Sequence, residues 1–105
     1  LIGYGLHDAP RGRAAALIDL CNAHADRILS LDVPSGLDAT TGETPGTVIQ
    51  PQRTLTLALP KTGLERVSGA LYLGDIGIPP TLYESLGLPA VAPFGCDYWV
   101  PLVIE

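Results

Sequence analysis

The sequence predicts an α/β protein built on a mainly parallel sheet. Strand, helix and strand character succeed one another within about thirty residues, the order of a βαβ unit whose crossover is right-handed and whose strands run parallel. An apolar run from Ile28 climbs to Asp32 and breaks at Pro34-Ser35-Gly36, as a buried strand does where it enters a turn. Two more strand-like runs follow, TLTLAL at Thr54 to Leu59 and GALYLGDIGI at Gly69 to Ile78.

Leu1 to Leu6, LIGYGL, reads as the end of a strand entering a glycine-containing turn. Gly3-x-Gly5 has the form of an opening dinucleotide fingerprint, but Asp8 stands where the third glycine belongs, so a tight strand exit explains the pair equally well. Asp8 as N-cap and Pro10 in the first turn predict a helix from Arg11 to Ala25. Its apolar stripe is Ala14, Leu17, Ile18, Cys21 and Ala25, which should pack on a sheet, with Cys21 as a small core residue. Arg11 and Arg13 oppose the helix dipole, so they either sit solvated at the surface or reach for a ligand phosphate. Backbone N–H groups at this helix N-terminus would suit a pyrophosphate.

The next strand, Arg27 to Val33, delivers Asp32 beside the Gly3-to-Ala9 turn, because both leave neighbouring parallel strands at one edge. In open α/β sheets that C-terminal edge is where ligands bind. Pro34 to Pro51 is rich in Gly, Thr and Pro without helical period, and a loop this long is usually functional or mobile. The Thr54-to-Leu59 strand stops at Pro60-Lys61. Gly69 to Ile78 is a strand or strand pair with Gly74 at a bend or close approach. Pro80 to Leu86 is a short helix, begun by prolines and stopped at Gly87. In the tail from Pro89, YWVPLVI forms an edge strand or a clasp.

Composition narrows the classes of function. With 105 residues the chain holds one small core, and 47% hydrophobic against 16% charged residues describes a soluble globular unit. No apolar run reaches the roughly eighteen residues of a membrane span. Six Lys and Arg against eleven Asp and Glu, a net charge of −5, argue against a surface that tracks nucleic-acid phosphates. A small anionic ligand would instead be held by backbone N–H groups or a bound cation. Two cysteines, Cys21 and Cys96, are too few for a disulfide framework or metal cluster, and His7 and His24 have no metal-ligand partner at recognisable spacing. The chain contains no Met and begins inside an apolar run, so it is expected to be a piece of a longer polypeptide.

Taken alone, Asp32-x-Pro34-Ser35-Gly36 suits a strand cap and turn as readily as a site, since Asp, Pro, Ser and Gly are the commonest turn formers. Three motifs in order carry more: LDVPSGLDATTG at Leu31 to Gly42, TLTLALPK at Thr54 to Lys61, and GDIGIP at Gly74 to Pro79. Together they resemble the YjeF N-terminal domain family, the NAD(P)H-hydrate epimerases. The resemblance runs from residue 1 to about 88, with 89–105 as a tail packing on the same domain. It implies the C-terminal half of a Rossmann-like three-layer α/β/α domain. The other half, in the family, contributes an Asn- and Gly-rich substrate loop and an Asp placed just before Leu1.

The resemblance further implies interconversion of the R and S forms of hydrated NADH or NADPH. In it Asp32 is the catalytic, substrate-contacting carboxylate, and Gly3, Tyr4, Gly5, Leu6, His7, Asp8 and Ala9 line the substrate. Ser35 helps hold a potassium ion, a large hard cation served by hydroxyl and carbonyl oxygens. Asp38 is read as a turn residue for its own loop, while Lys61 either approaches the pocket or caps the sheet. The expected setting is the cytoplasm, with an organelle or secretion left open, as is a homodimer. A non-catalytic binding module that keeps the fold is the competing reading. Its mark would be loss of Asp32 or Ser35, and both are present.

Overall fold

A computed structural model describes residues 8–87 and 97–103. Its centre is a four-stranded sheet in the order β1-β2-β3-β4, formed by Leu29–Leu31, Arg53–Leu57, Ala70–Gly74 and Trp99–Leu102. The β1–β2 and β2–β3 pairs are parallel, with Leu31 opposite Leu55 and Leu57 opposite Gly74. Strand β4 closes the edge antiparallel to β3, so the YWVPLVI tail supplies an edge strand. Two helices, α1 at Gly12–Asn22 and α2 at Pro80–Ser85, flank this sheet in the α/β arrangement expected. None of the described helices is long and apolar enough to cross a membrane.

The sheet's alternation sorts side chains cleanly. Ser30, Thr54, Thr56, Leu71 and Leu73 are buried on one face. Val33, Leu37 and Ala39 from the β1–β2 connection, with Leu64 of the 3₁₀ helix Thr62–Arg66, complete the core over it. Parallel strands need a crossover, usually a helix. Here irregular chain does that work between β1 and β2. The long Gly- and Pro-rich loop is therefore a wall of the core, pinned by Ile49 N–H to Ser35 C=O at 2.8 Å and Gly63 N–H to Ala39 C=O at 2.7 Å.

Several boundaries differ from expectation. The first helix starts at Gly12 with Arg11 as N-cap and no side-chain capping bond; Asp8 and Pro10 precede it. Gly12 has φ +56°, a left-handed break that keeps Asp8 out of the capping position. The helix ends at Asn22, and the backbone leaves helical dihedrals at His24, φ −120° and ψ 40°; the Asn22 side chain holds the loop, donating to Val48 C=O and accepting from Gln50 N–H, each at 2.8 Å. Of Ala14, Leu17, Ile18 and Cys21 in the expected stripe, only Ile18 is buried, and Cys21 is exposed rather than in the core. The stretch expected to open a strand at Arg27 begins instead as a 3₁₀ turn, Ala25–Arg27, leaving β1 three residues long. Gly69 to Ile78 yields a single strand. The Leu1-to-Leu6 strand and Cys96 lie outside the described residues.

Candidate functional site

Strands β1 and β2 end alike. After Leu31, Val33 N–H donates back to Leu31 C=O at 3.0 Å around Asp32, whose φ is +69°. After Leu57, Leu59 N–H donates to Leu57 C=O at 2.8 Å around Ala58, whose φ is +65°. Each is a γ-turn of the positive-φ kind, rare and strained in a residue that bears a Cβ. They are the described residues other than glycine with positive φ. In both, the central N–H still extends the sheet ladder, Asp32 to Leu55 C=O at 2.7 Å and Ala58 to Gly74 C=O at 3.1 Å.

The two turns bring together a closed polar network. Asp32 Oδ1 accepts from Lys61 Nζ at 2.6 Å, from Thr56 Oγ1 at 3.2 Å and from Leu57 N–H at 3.2 Å. Lys61 Nζ also donates to Leu57 C=O at 2.7 Å and to Thr56 Oγ1 at 3.2 Å. The Thr56 hydroxyl thus gives its proton to Asp32 and offers a lone pair to Lys61. Every bond the carboxylate makes among the described residues falls on Oδ1, which leaves Oδ2 as its uncommitted oxygen. Burial pushes the Asp32 carboxyl up, but the hydrogen bond and charge of Lys61, with the Leu57 N–H and Thr56 hydroxyl, outweigh it and hold the group below its ordinary value.

Ser35, next along the loop, is buried. Its carbonyl accepts from Ile49 N–H at 2.8 Å, and its hydroxyl is the oxygen that the resemblance offers to a cation. One neutral hydroxyl suits the donor chemistry of a large monovalent cation and leaves most of its oxygens to come from elsewhere. Gly36 follows with φ +98°, and a Cβ there would lie 2.3 Å from Thr47 O, so the loop closes against itself only with glycine at that position. Asp38 is a turn residue as expected: its Oδ1 accepts from the N–H groups of Thr40 and Thr41 at 2.9 and 3.0 Å.

The candidate substrate segment is placed only at its end. Asp8 is exposed and Ala9 lies against Gly46, while Gly3, Tyr4, Gly5, Leu6 and His7 lie outside the described residues. Arg11 and Arg13 are exposed on the entry to α1. Lys61, for which the sequence left two roles open, turns inward to the carboxylate. No motif announces that pairing; its signal is a lysine just past one parallel strand and an aspartate just past the neighbouring one.

A mostly parallel sheet carrying an anchored carboxylate at its C-terminal edge defines a Rossmann-like α/β protein, and that edge is where ligands bind in open sheets of this kind. Residues 1–63 match the sequence model of the family described as YjeF-related protein N-terminus, and the chain belongs to that family. It is 57% identical over 104 residues to an NAD(P)H-hydrate epimerase of Dehalogenimonas lykanthroporepellens, covering 97% of this chain and 42% of that protein. With an NAD(P)H-hydrate epimerase of Truepera radiovictrix it shares 45% identity over 95 residues, 88% of this chain and 43% of that protein. It is also 42% identical over 83 residues to the bifunctional NAD(P)H-hydrate repair enzyme Nnr of Escherichia coli, covering 74% of this chain and 16% of that protein. The chain therefore spans less than half the length of these relatives.

Proposed function

We propose that the protein carrying this chain is an isomerase that interconverts the R and S forms of hydrated NADH and NADPH. The observation that carries it is the Asp32 carboxylate, anchored by one oxygen at the C-terminal edge of the parallel strands, in a chain whose relatives bear that activity in their names. The substrate has a hydroxyl on the carbon beside the ring nitrogen. Departure of that hydroxyl with a proton, as water, leaves an iminium cation, and water returns to either face with loss of a proton.

A carboxyl held below its ordinary value is ionised at neutral pH, which suits it to stabilise the cation; the same carboxylate takes the proton from returning water. The proton for the departing hydroxyl comes from solvent or from the Asp expected upstream of Leu1. The segment from Gly3 to Ala9 lines the nucleotide. Ser35 is one ligand of a potassium ion, which when bound would offset the repulsion between ligand phosphates and this acidic protein.

The rest of the domain, which the longer relatives carry, packs on the sheet face opposite the core described above. In support, a sheet with parallel strands is ordinarily covered on both faces, and that face here carries exposed Leu29, Leu31 and Trp99.

The complete protein should epimerise hydrated NADH, followed by chromatographic separation of the two forms, and do so faster in potassium than in sodium chloride. Ser35→Ala should remove most of that cation preference. A complete, folded protein that leaves the R-to-S ratio unchanged over hours, beyond the spontaneous rate, would sink the reading.

A further inference from the structure

We propose that Lys61 is a positioning residue for this reaction, fixing Asp32 by Oδ1 so that Oδ2 is the one oxygen turned to chemistry. The inference rests on the epimerase reading and deepens it. Its first support is saturation. An ammonium has three donors, and Lys61 Nζ has three acceptors: Asp32 Oδ1, Leu57 C=O and Thr56 Oγ1. It has no N–H left for a substrate without breaking this network, so it acts through the carboxylate. Its side chain is 18% exposed against 34% for Asp32, which places the lysine behind the acid as seen from solvent.

The second support is backbone strain. Asp32 and Ala58 are the two described residues other than glycine held at positive φ, and they centre the two γ-turns that set this pair face to face. Strain of this kind persists only where the surroundings over-determine it, and it concentrates at functional sites. Neither turn is needed to end a strand. Both stand at the ends of the paired strands from which Asp32 and Lys61 meet across the β1–β2 boundary.

The groups that face Asp32 from its neighbours are the Lys61 ammonium, the Thr56 hydroxyl and the Leu57 N–H. Among the described residues no other charge acts on it. In the complete protein, Lys61→Met should lower kcat on the order of 10²-fold, as misplacement of a reacting group does, with little change in KM. The acid limb of its rate profile should move to higher pH, because a neighbouring cation no longer favours the ionised acid. Lys61→Arg, which keeps the charge, should recover part of kcat.

Carbon-13 NMR titration of the Asp32 carboxyl should show the same upward move, and this readout needs no activity. It therefore tests the positioning role even if the epimerase reading fails. Lys61→Gln, which is one atom shorter but keeps polarity without charge, serves if Lys61→Met does not fold. An unmoved acid limb together with an unmoved carboxyl titration overturns the proposal. So does a rise in kcat, which would mean that Lys61 merely cancels charge the reaction would otherwise use.

Discussion

At the residue scale, the proposed reading has Asp32 tie catalysis to stability through one hydrogen-bond network. Its carboxyl is depressed in the folded state, so ionisation favours folding above the unfolded carboxylate range, and that contribution is lost as pH falls through the folded value. The loss should fall below about pH 4. Asp32→Asn cannot ionise. Its unfolding free energy, followed by urea titration at stepped pH in the complete protein, should lack this site's share of the acid-side decline. The same substitution should lower the epimerisation rate on the order of 10²-fold or more, the cost of removing a preorganised charge from a developing cation. A wild-type-like acid decline in Asp32→Asn would show that the Lys61 pair contributes nothing to folding. The aspartate was legible in the sequence because an apolar run that stops at Asp-x-Pro-Ser-Gly ends a strand with its carboxylate at the edge. Lys61 was legible only as a choice between two roles, since its partner is fixed by two i-to-i+2 turns that leave no periodic trace.

At the element scale, β2 places two threonines of opposite fate on one buried face. Thr54 and Thr56 are both fully buried. The Thr56 hydroxyl bonds Asp32 and Lys61, whereas Thr54 Oγ1 has no partner among the described residues. A buried hydroxyl without a partner costs stability, and valine has nearly its shape without the oxygen. Thr54→Val should therefore stabilise the complete protein by roughly 1 kcal/mol in urea unfolding, while Thr56→Val should destabilise it by a similar amount and lower kcat. Equal signs for the two would contradict the assigned network. The strand was readable here from TLTLAL, but not its facing: the structure turns Thr54 and Thr56 inward and leaves Leu55 and Leu57 half-buried on the other face. Helix ends were less readable. The apolar stripe in α1 suggested a helix running to Ala25 with Cys21 inside, but the backbone breaks at His24 and Cys21 is exposed.

Across the whole molecule, the strand-helix-strand order suggested a parallel sheet, and β1, β2 and β3 pair so; link length alone does not decide it, since the long connection from β3 to β4 joins an antiparallel pair. What covers each face was less legible, because the β1–β2 crossover is an irregular loop whose Val33, Leu37 and Ala39 act as a helix face would. That loop covers one side only. On the other, Leu29 is 63% exposed, Leu31 65% and Trp99 55%, with Trp99 edge-on to Tyr72 at 5.3 Å between ring centroids. Under the proposed reading, the remainder of the domain packs on this face, which gives one substitution opposite effects in two settings. Leu31→Asp should destabilise the complete protein by about 3 kcal/mol or more, because it strands a charge in a packed layer. In the isolated 105-residue chain the same change should raise the concentration at which sedimentation first detects association, because there the charge interrupts an exposed apolar patch. If Leu31→Asp leaves the unfolding of the complete protein unaltered, that face is open in the whole protein too, and the second layer of the sandwich lies elsewhere.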